Sequence, residues 1–146
     1  MKAIIDVKRF NPENNSEEYF QEYEIEVEES STILDALIKI REDMDGTLAL
    51  RCSCRASICG SCGMKVNGSA KLVCKTRLID ISPDGEKLQV EPLGNMSVIK
   101  DLVVDMNPFW NKVKQIQPYM KPDSEPKGEY IASNESMTHL VDVMNC

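Results

Sequence analysis

The chain has 146 residues, enough for one domain of ordinary size or one domain with an extension. Apolar residues make up 42% and charged residues 28%, a soluble globular balance, and no apolar run approaches the roughly 18 residues of a membrane span. A net charge of −7 argues against a protein that coats nucleic acid, and the six cysteines follow a start, MKAIIDVKRF, without the features of a secretory signal, which predicts a reducing, cytoplasmic setting and thiols used for metal or redox chemistry rather than structural disulfides.

The acids are unevenly spread. Residues 1–50 hold thirteen acidic and five basic side chains, and residues 51–146 hold eleven and twelve. Lys2 to Phe10 reads as a strand with Ile5 and Val7 on one face, and the turn formers Asn11 to Asn15 follow. Tyr19 to Glu28 alternates, with Tyr23, Ile25 and Val27 facing one way and Glu22, Glu24, Glu26 and Glu28 the other, as in a strand with one wet face. Thr32 and Asp35 predict a capping box. Ile33, Ala36, Leu37 and Ile40 predict a helix whose apolar face covers the sheet, closed by Gly46. Met64–Asn67 and Leu72–Cys74 are strand candidates around the hairpin signal Asn67-Gly68, the second arm displaced by a few residues. Ser82 to Gly85 predicts a turn and Leu88–Glu91 a closing strand. The expected fold is α+β, a small mixed sheet gripping one helix, over residues 1–104.

Residues 105–146 read as a short helical extension. Asn107 can cap a helix with Pro108 in its first turn, Phe109, Val113 and Ile116 form a stripe, and Pro118 stops it. Residues 118–128 contain three prolines and a glycine, a linker composition. A last helix is predicted around residues 134–145, with Met137, Leu140, Val141 and Met144 expected to pack on the neighbouring domain.

All cysteines except Cys146 fall within residues 51–77, together with Arg51, Arg55, Lys65, Lys71, Lys75 and Arg77 and no acid. Basic neighbours favour thiolates and would balance an anionic centre. Cys54-x4-Cys59-x2-Cys62, with Cys74 after eleven intervening residues, fits the spacing of a plant-type [2Fe–2S] centre. Such a loop must bend tightly around the cluster. Gly60 and Gly63 are expected to supply positive φ, and Arg55, Gly60 and Gly63 to lie around the cluster beyond its ligands. Amide N–H groups of the loop can point at the sulfurs. The basic window predicts a potential well above the roughly −400 mV of plant-type ferredoxins.

Rival readings weigh less. A four-cysteine zinc module, docking a partner through the acidic first third, would bring two close cysteine pairs, and Cys74 has no near neighbour in sequence. A thiol nucleophile needs a base, and His139, the single histidine, is far along the chain. Cys52 could be a ligand by register slip, but the spacing favours Cys54.

The runs LRCSCRASICGSC (residues 50–62), GMKVNGSAKLVCKT (63–76) and NMSVIKDLVVDMNPFW (95–110) resemble the N-terminal [2Fe–2S] ferredoxin domain of succinate dehydrogenase and fumarate reductase iron–sulfur subunits. The resemblance implies a β-grasp fold with Cys54, Cys59, Cys62 and Cys74 on the cluster. Some members carry Asp at the third ligand; here it is Cys62. It also implies single-electron relay between the FAD of a flavoprotein subunit and downstream clusters and quinone, with no catalytic residue in this chain. Variants of that reading are a soluble thiol-linked fumarate reductase subunit and a stand-alone ferredoxin-like carrier. In the family a second domain follows with [4Fe–4S] and [3Fe–4S] clusters and contacts to a membrane anchor. Here only Cys146 stands about where its first cysteine would be. The implied location is cytoplasmic, peripheral on the membrane's cytoplasmic face.

Overall fold

The computed structural model describes residues 1–14, 17–118, 127–129 and 131–144. Two compact units divide the chain, Met1–Asp105 and Met106–Cys146.

In the first unit, β1 (Lys2–Arg9) and β2 (Tyr19–Glu26) form an antiparallel hairpin pairing Ile5 with Tyr23 and Ala3 with Ile25. The alternation seen in the sequence is the alternation of burial. Ala3, Ile5, Val7, Tyr23 and Ile25 face the core, while Glu22, Glu24 and Glu26 face away from it. The α1 helix (Ile33–Asp43) begins with the predicted capping box, Thr32 accepting from the Asp35 N–H and Asp35 from the Thr32 N–H. It buries Leu34 in addition to the expected Ile33, Ala36, Leu37 and Ile40. It ends at Asp43, ahead of Gly46, with Met44 as the cap.

β3 (Gly63–Val66) and β4 (Ser69–Leu72) make a tight hairpin. Asn67 and Gly68 both take positive φ, 46° and 78°, the geometry that matches the twist of paired strands. The second arm therefore follows the turn at once, rather than starting at Leu72, and Cys74 lies beyond the strand in a turn. After the one-turn α2 (Leu78–Ile81), β5 (Leu88–Pro92) inserts beside β1, parallel to it and antiparallel to β3. The resulting sheet has the order β2-β1-β5-β3-β4. Its apolar side shares one hydrophobic cluster with α1, the β-grasp arrangement expected from the sequence. A short hairpin of β6 (Val98–Lys100) and β7 (Val103–Val104), unforeseen in the sequence, completes the unit.

One charged residue enters this core. Arg9 is 5% exposed at the end of β1. Its Nε donates to Asp101 Oδ1 at 3.0 Å, Nη1 to Asp45 Oδ2 at 2.6 Å and to Gln21 Oε1 at 2.8 Å, and Nη2 to Thr47 Oγ1 at 2.8 Å. The Tyr23 hydroxyl accepts from Arg9 and donates to Asp45. Burial works against the Asp45 charge, yet hydrogen bonds from Thr47, Tyr23 and Arg9 outweigh it and hold this carboxyl well below the usual range.

In the second unit, α3 (Asn107–Ile116) is capped by Met106, one residue earlier than the Asn107 cap expected, with proline in its first turn. Gln117 closes it in the left-handed conformation. Phe109 and Trp110 meet edge to face with ring centroids 5.1 Å apart. The α4 helix spans Asn134–Met144, and Met137 and Val141 are exposed. Most of the proline-rich stretch, the Met144 side chain and Cys146 lie outside the described residues.

Replacing Arg9 by Met strands the buried Asp101 carboxylate and the half-buried Asp45, and should cost about 3–5 kcal/mol in urea unfolding. A carboxyl with a depressed folded pKa contributes stability above its unfolded value near 4 and loses it as pH falls. The urea midpoint should therefore decline as pH drops below about 5, and Asp45→Asn should make that decline shallower while lowering the midpoint at pH 7.

Candidate metal centre

Residues 47–62 leave α1 and reach β3 without regular secondary structure. Leu48, 2% exposed, anchors the start of this segment in the core. Cys62 at its end is equally buried, at 3%. Between them the chain carries Cys54 and Cys59 to the surface.

The bend is built from left-handed residues. Arg55, Ser57 and Gly60 have φ of 52°, 61° and 69°. Gly60 meets the expectation, since an added Cβ would find open space but an unfavourable backbone. Gly63 does not: it is the first residue of β3 and its φ is not positive. Its need is room, because a Cβ there would sit 3.2 Å from the Gly60 carbonyl oxygen. Arg55 takes part through its strained backbone.

This folding turns amides toward sulfur. Cys54 Sγ accepts from the N–H groups of Ala56, Ile58 and Cys59 at 3.3, 3.4 and 3.3 Å. Ser61 Oγ lies 3.1 Å from Cys59 Sγ, and this hydroxyl, with further hydrogen bonds from Cys54, brings the Cys59 pKa down to about 6.

On the other side, the β3–β4 hairpin returns the chain toward Cys62: the Val73 N–H donates to Cys62 O at 3.4 Å, and Cys74 follows in the next position. Burial pushes the Cys62 thiol up. It opposes charge on Cys74 too, but the Cys62 thiol and the Ser57 backbone and hydroxyl outweigh it and lower Cys74. Ser57 Oγ stands 3.9 Å from Cys74 Sγ. Ser57 and Ser61 were no part of the cysteine spacing; their only signal was position, each within three residues of a cysteine.

The turn bearing Cys74 is held by α1. A helix leaves its first N–H groups without partners inside the helix. Here Leu34 N–H donates to Val73 O at 3.1 Å and Ile33 N–H to Thr76 O at 2.9 Å. The helix that covers the sheet thus also fixes the fourth cysteine.

Cys52 is half-buried and packs against the core. Its place is that of a small apolar residue. His139 lies in α4, in the second unit. The basic window is also thinner than the sequence implies. Arg51 donates to Val104 O at 2.8 Å, Lys65 lies 3.8 Å from Glu91, and Arg77 pairs with Asp80 at 2.7 Å. These three cations are engaged elsewhere, so the amide donors carry more of the electrostatic work.

The donor set suits a two-iron cluster. Each iron of a [2Fe–2S] core takes two thiolates. Here the Cys59 N–H donates to Cys54 Sγ, the Val73 N–H beside Cys74 donates to Cys62 O, and Ser57 links the loop to Cys74. Among the described residues no three Cys, His, Asp or Glu side chains stand close enough together to hold a metal ion as placed. Changing Cys59 to Ser should abolish or severely deplete bound iron and acid-labile sulfide, whereas Cys52→Ser should leave both contents and the visible spectrum nearly unchanged. Equal losses would place the ligand register one cysteine off. Gly60→Ala should lower cluster yield, since a side chain in the left-handed region costs about 1–2 kcal/mol.

Comparison with known proteins agrees with this chemistry. A family model described as a 2Fe-2S iron-sulfur cluster binding domain matches residues 4–111. The chain is 42% identical over 132 residues to a fumarate reductase iron-sulfur subunit of Mycobacterium tuberculosis, covering 88% of this chain and 53% of that protein. It is 36% identical over 140 residues to a mitochondrial succinate dehydrogenase (ubiquinone) iron-sulfur subunit of Dictyostelium discoideum, covering 93% and 48%. In structure it is similar to a chain of the Mycobacterium smegmatis Sdh1 complex in the apo form, with a TM-score of 0.79 and 29% identity over 99% of this chain and 59% of that one. The chain spans about half the length of the curated relatives it matches. A zinc module is not favoured beside these likenesses. By the reach of the family match, over residues 4–111, the chain belongs to the 2Fe-2S iron-sulfur cluster binding domains.

Proposed function

We propose that this chain is the [2Fe–2S] portion of an iron–sulfur subunit serving a complex of the succinate dehydrogenase or fumarate reductase kind. Cys54, Cys59, Cys62 and Cys74 are its cluster ligands in this reading. The observation that carries it is the cysteine loop itself, with three backbone N–H groups aimed at Cys54 Sγ and Ser57 Oγ 3.9 Å from Cys74 Sγ. Names of the relatives supply the succinate and fumarate chemistry.

The bound cluster supplies a site that takes up and gives back one electron at a time. The protein's own part is to hold it and tune it. N–H donors at Cys54 favour the more negative, reduced state, and so raise the potential. Cys62 and the core behind it keep water from one side, while Cys54 and Cys59 lie at the surface, where electrons can be exchanged over a short distance.

The partners in this reading are a flavoprotein bearing FAD and, through sequence such as that present in the longer relatives, a membrane anchor. No helix among the described residues is long and apolar enough to cross a membrane. We place the assembly on the cytoplasmic side of the membrane, where a peripheral subunit can meet both.

The test is EPR of anaerobically purified protein before and after dithionite. A signal absent in the oxidised protein and present after one-electron reduction is expected, with a midpoint above about −400 mV. Zinc in place of iron and sulfide would overturn the assignment, and a midpoint at or below that value would overturn the role given to the amide donors.

A further inference from the structure

The segment running from α1 to the cysteine loop is not a strand; beyond Leu48 and the Arg9 bonds to Asp45 and Thr47, it is tied by β6–β7 and the turn joining them. Asp101 stands in that turn, 2% exposed and with φ of 47°. Its Oδ2 accepts from the Ala49 N–H at 2.9 Å. The neighbouring Leu102 N–H donates to the Ala49 carbonyl at 3.2 Å, so both polar groups of Ala49 are gripped by consecutive residues. Two residues later Arg51 Nη1 donates to Val104 O at 2.8 Å.

Asp101 is itself fixed from the other side. Its Oδ1 accepts from Arg9 Nε at 3.0 Å and from the Phe10 N–H at 3.1 Å, and its own N–H donates to Phe10 O at 2.9 Å. One carboxylate therefore bridges the end of β1 to the peptide five residues before Cys54. A non-glycine residue in left-handed conformation, buried with both oxygens occupied, is expensive to maintain and marks a functional constraint.

The geometry points to Asp101 as a positioning residue for the iron–sulfur site: by clamping Ala49 against the end of β1, it sets where Cys54 stands beneath its three amide donors. This rests on the reading of Cys54 as a cluster ligand. Loosening the clamp lets the loop drift, lengthens the N–H···S contacts and makes the reduced state harder to reach. The residue touches neither cluster nor electron partner; it acts through the backbone.

The experiment compares the full chain with Asp101→Asn and Asp45→Asn by EPR-monitored redox titration, with urea unfolding in parallel. Asn tolerates the left-handed backbone and preserves the shape, so the variant isolates the second carboxylate oxygen and the charge. Asp45→Asn weakens the same Arg9 network without touching Ala49, and serves as the control for lost stability. The expected result is a shift of the reduction equilibrium toward the oxidised state by about tenfold in Asp101→Asn, about 59 mV for one electron, with altered EPR line shape and an unchanged midpoint in Asp45→Asn. Equal midpoints in all three proteins, or equal shifts in both variants, would overturn the proposal and leave Asp101 as ordinary structural support. If Asp101→Asn does not fold, Arg51→Lys keeps the charge while breaking the guanidinium tie to Val104 and leaves Arg9 intact; a lowered midpoint supports the clamp and an unchanged one overturns it. A parent chain without iron and sulfide would instead overturn the ligand reading itself, and the two failures are thus distinct.

Discussion

A guanidinium cannot shed its proton at ordinary pH, so the burial of Arg9 places a permanent charge at the edge of the core. Everything around it answers that constraint. Asp101 and Asp45 supply opposite charge, and Gln21, Tyr23 and Thr47 take the remaining donors. These partners come from β2, from the segment after α1, and from the turn between β6 and β7. Satisfying one cation therefore brings together three stretches of chain that lie far apart in sequence. Apolar burial would tolerate several arrangements of these stretches, whereas a buried charge with fixed donor directions tolerates few.

The cysteines inherit their positions from two such polar anchors. Cys54 follows a segment tied through Ala49 to Asp101 and thence to Arg9. Cys74 sits in a turn whose carbonyls accept the otherwise unpaired N–H groups at the start of α1. In both cases a group that folding must satisfy for its own sake is used to hold a sulfur. Cys62 differs: it is part of the hydrophobic core and is placed by packing.

Electrostatics at the loop depend less on side-chain charge than composition suggests. Arg51, Lys65 and Arg77 turn to a carbonyl or to acids outside residues 51–77. Backbone amides remain, held by the left-handed turns at Arg55, Ser57 and Gly60. Amide dipoles fixed in this way need no reorganisation when an electron arrives, which suits a carrier better than mobile lysines would.

Much was legible in the chain itself. The alternation in β1 and β2, the Thr32–Asp35 box, the Asn67-Gly68 turn and the cysteine spacing are all short-range patterns, in which neighbours along the chain determine which groups can meet. They determined a small mixed sheet gripping one helix and the four candidate ligands, and the family resemblance made that sheet a β-grasp. Tertiary structure alone decided that Gly63 is required for space rather than handedness, that Ser57 and Ser61 stand beside sulfurs, and that three loop amides converge on Cys54. It alone joined Arg9 to Asp101, 92 residues apart. A buried charge announces that it needs a partner but not which one, because the choice falls to whichever acid the packed backbone carries within hydrogen-bonding distance, and no local pattern encodes that.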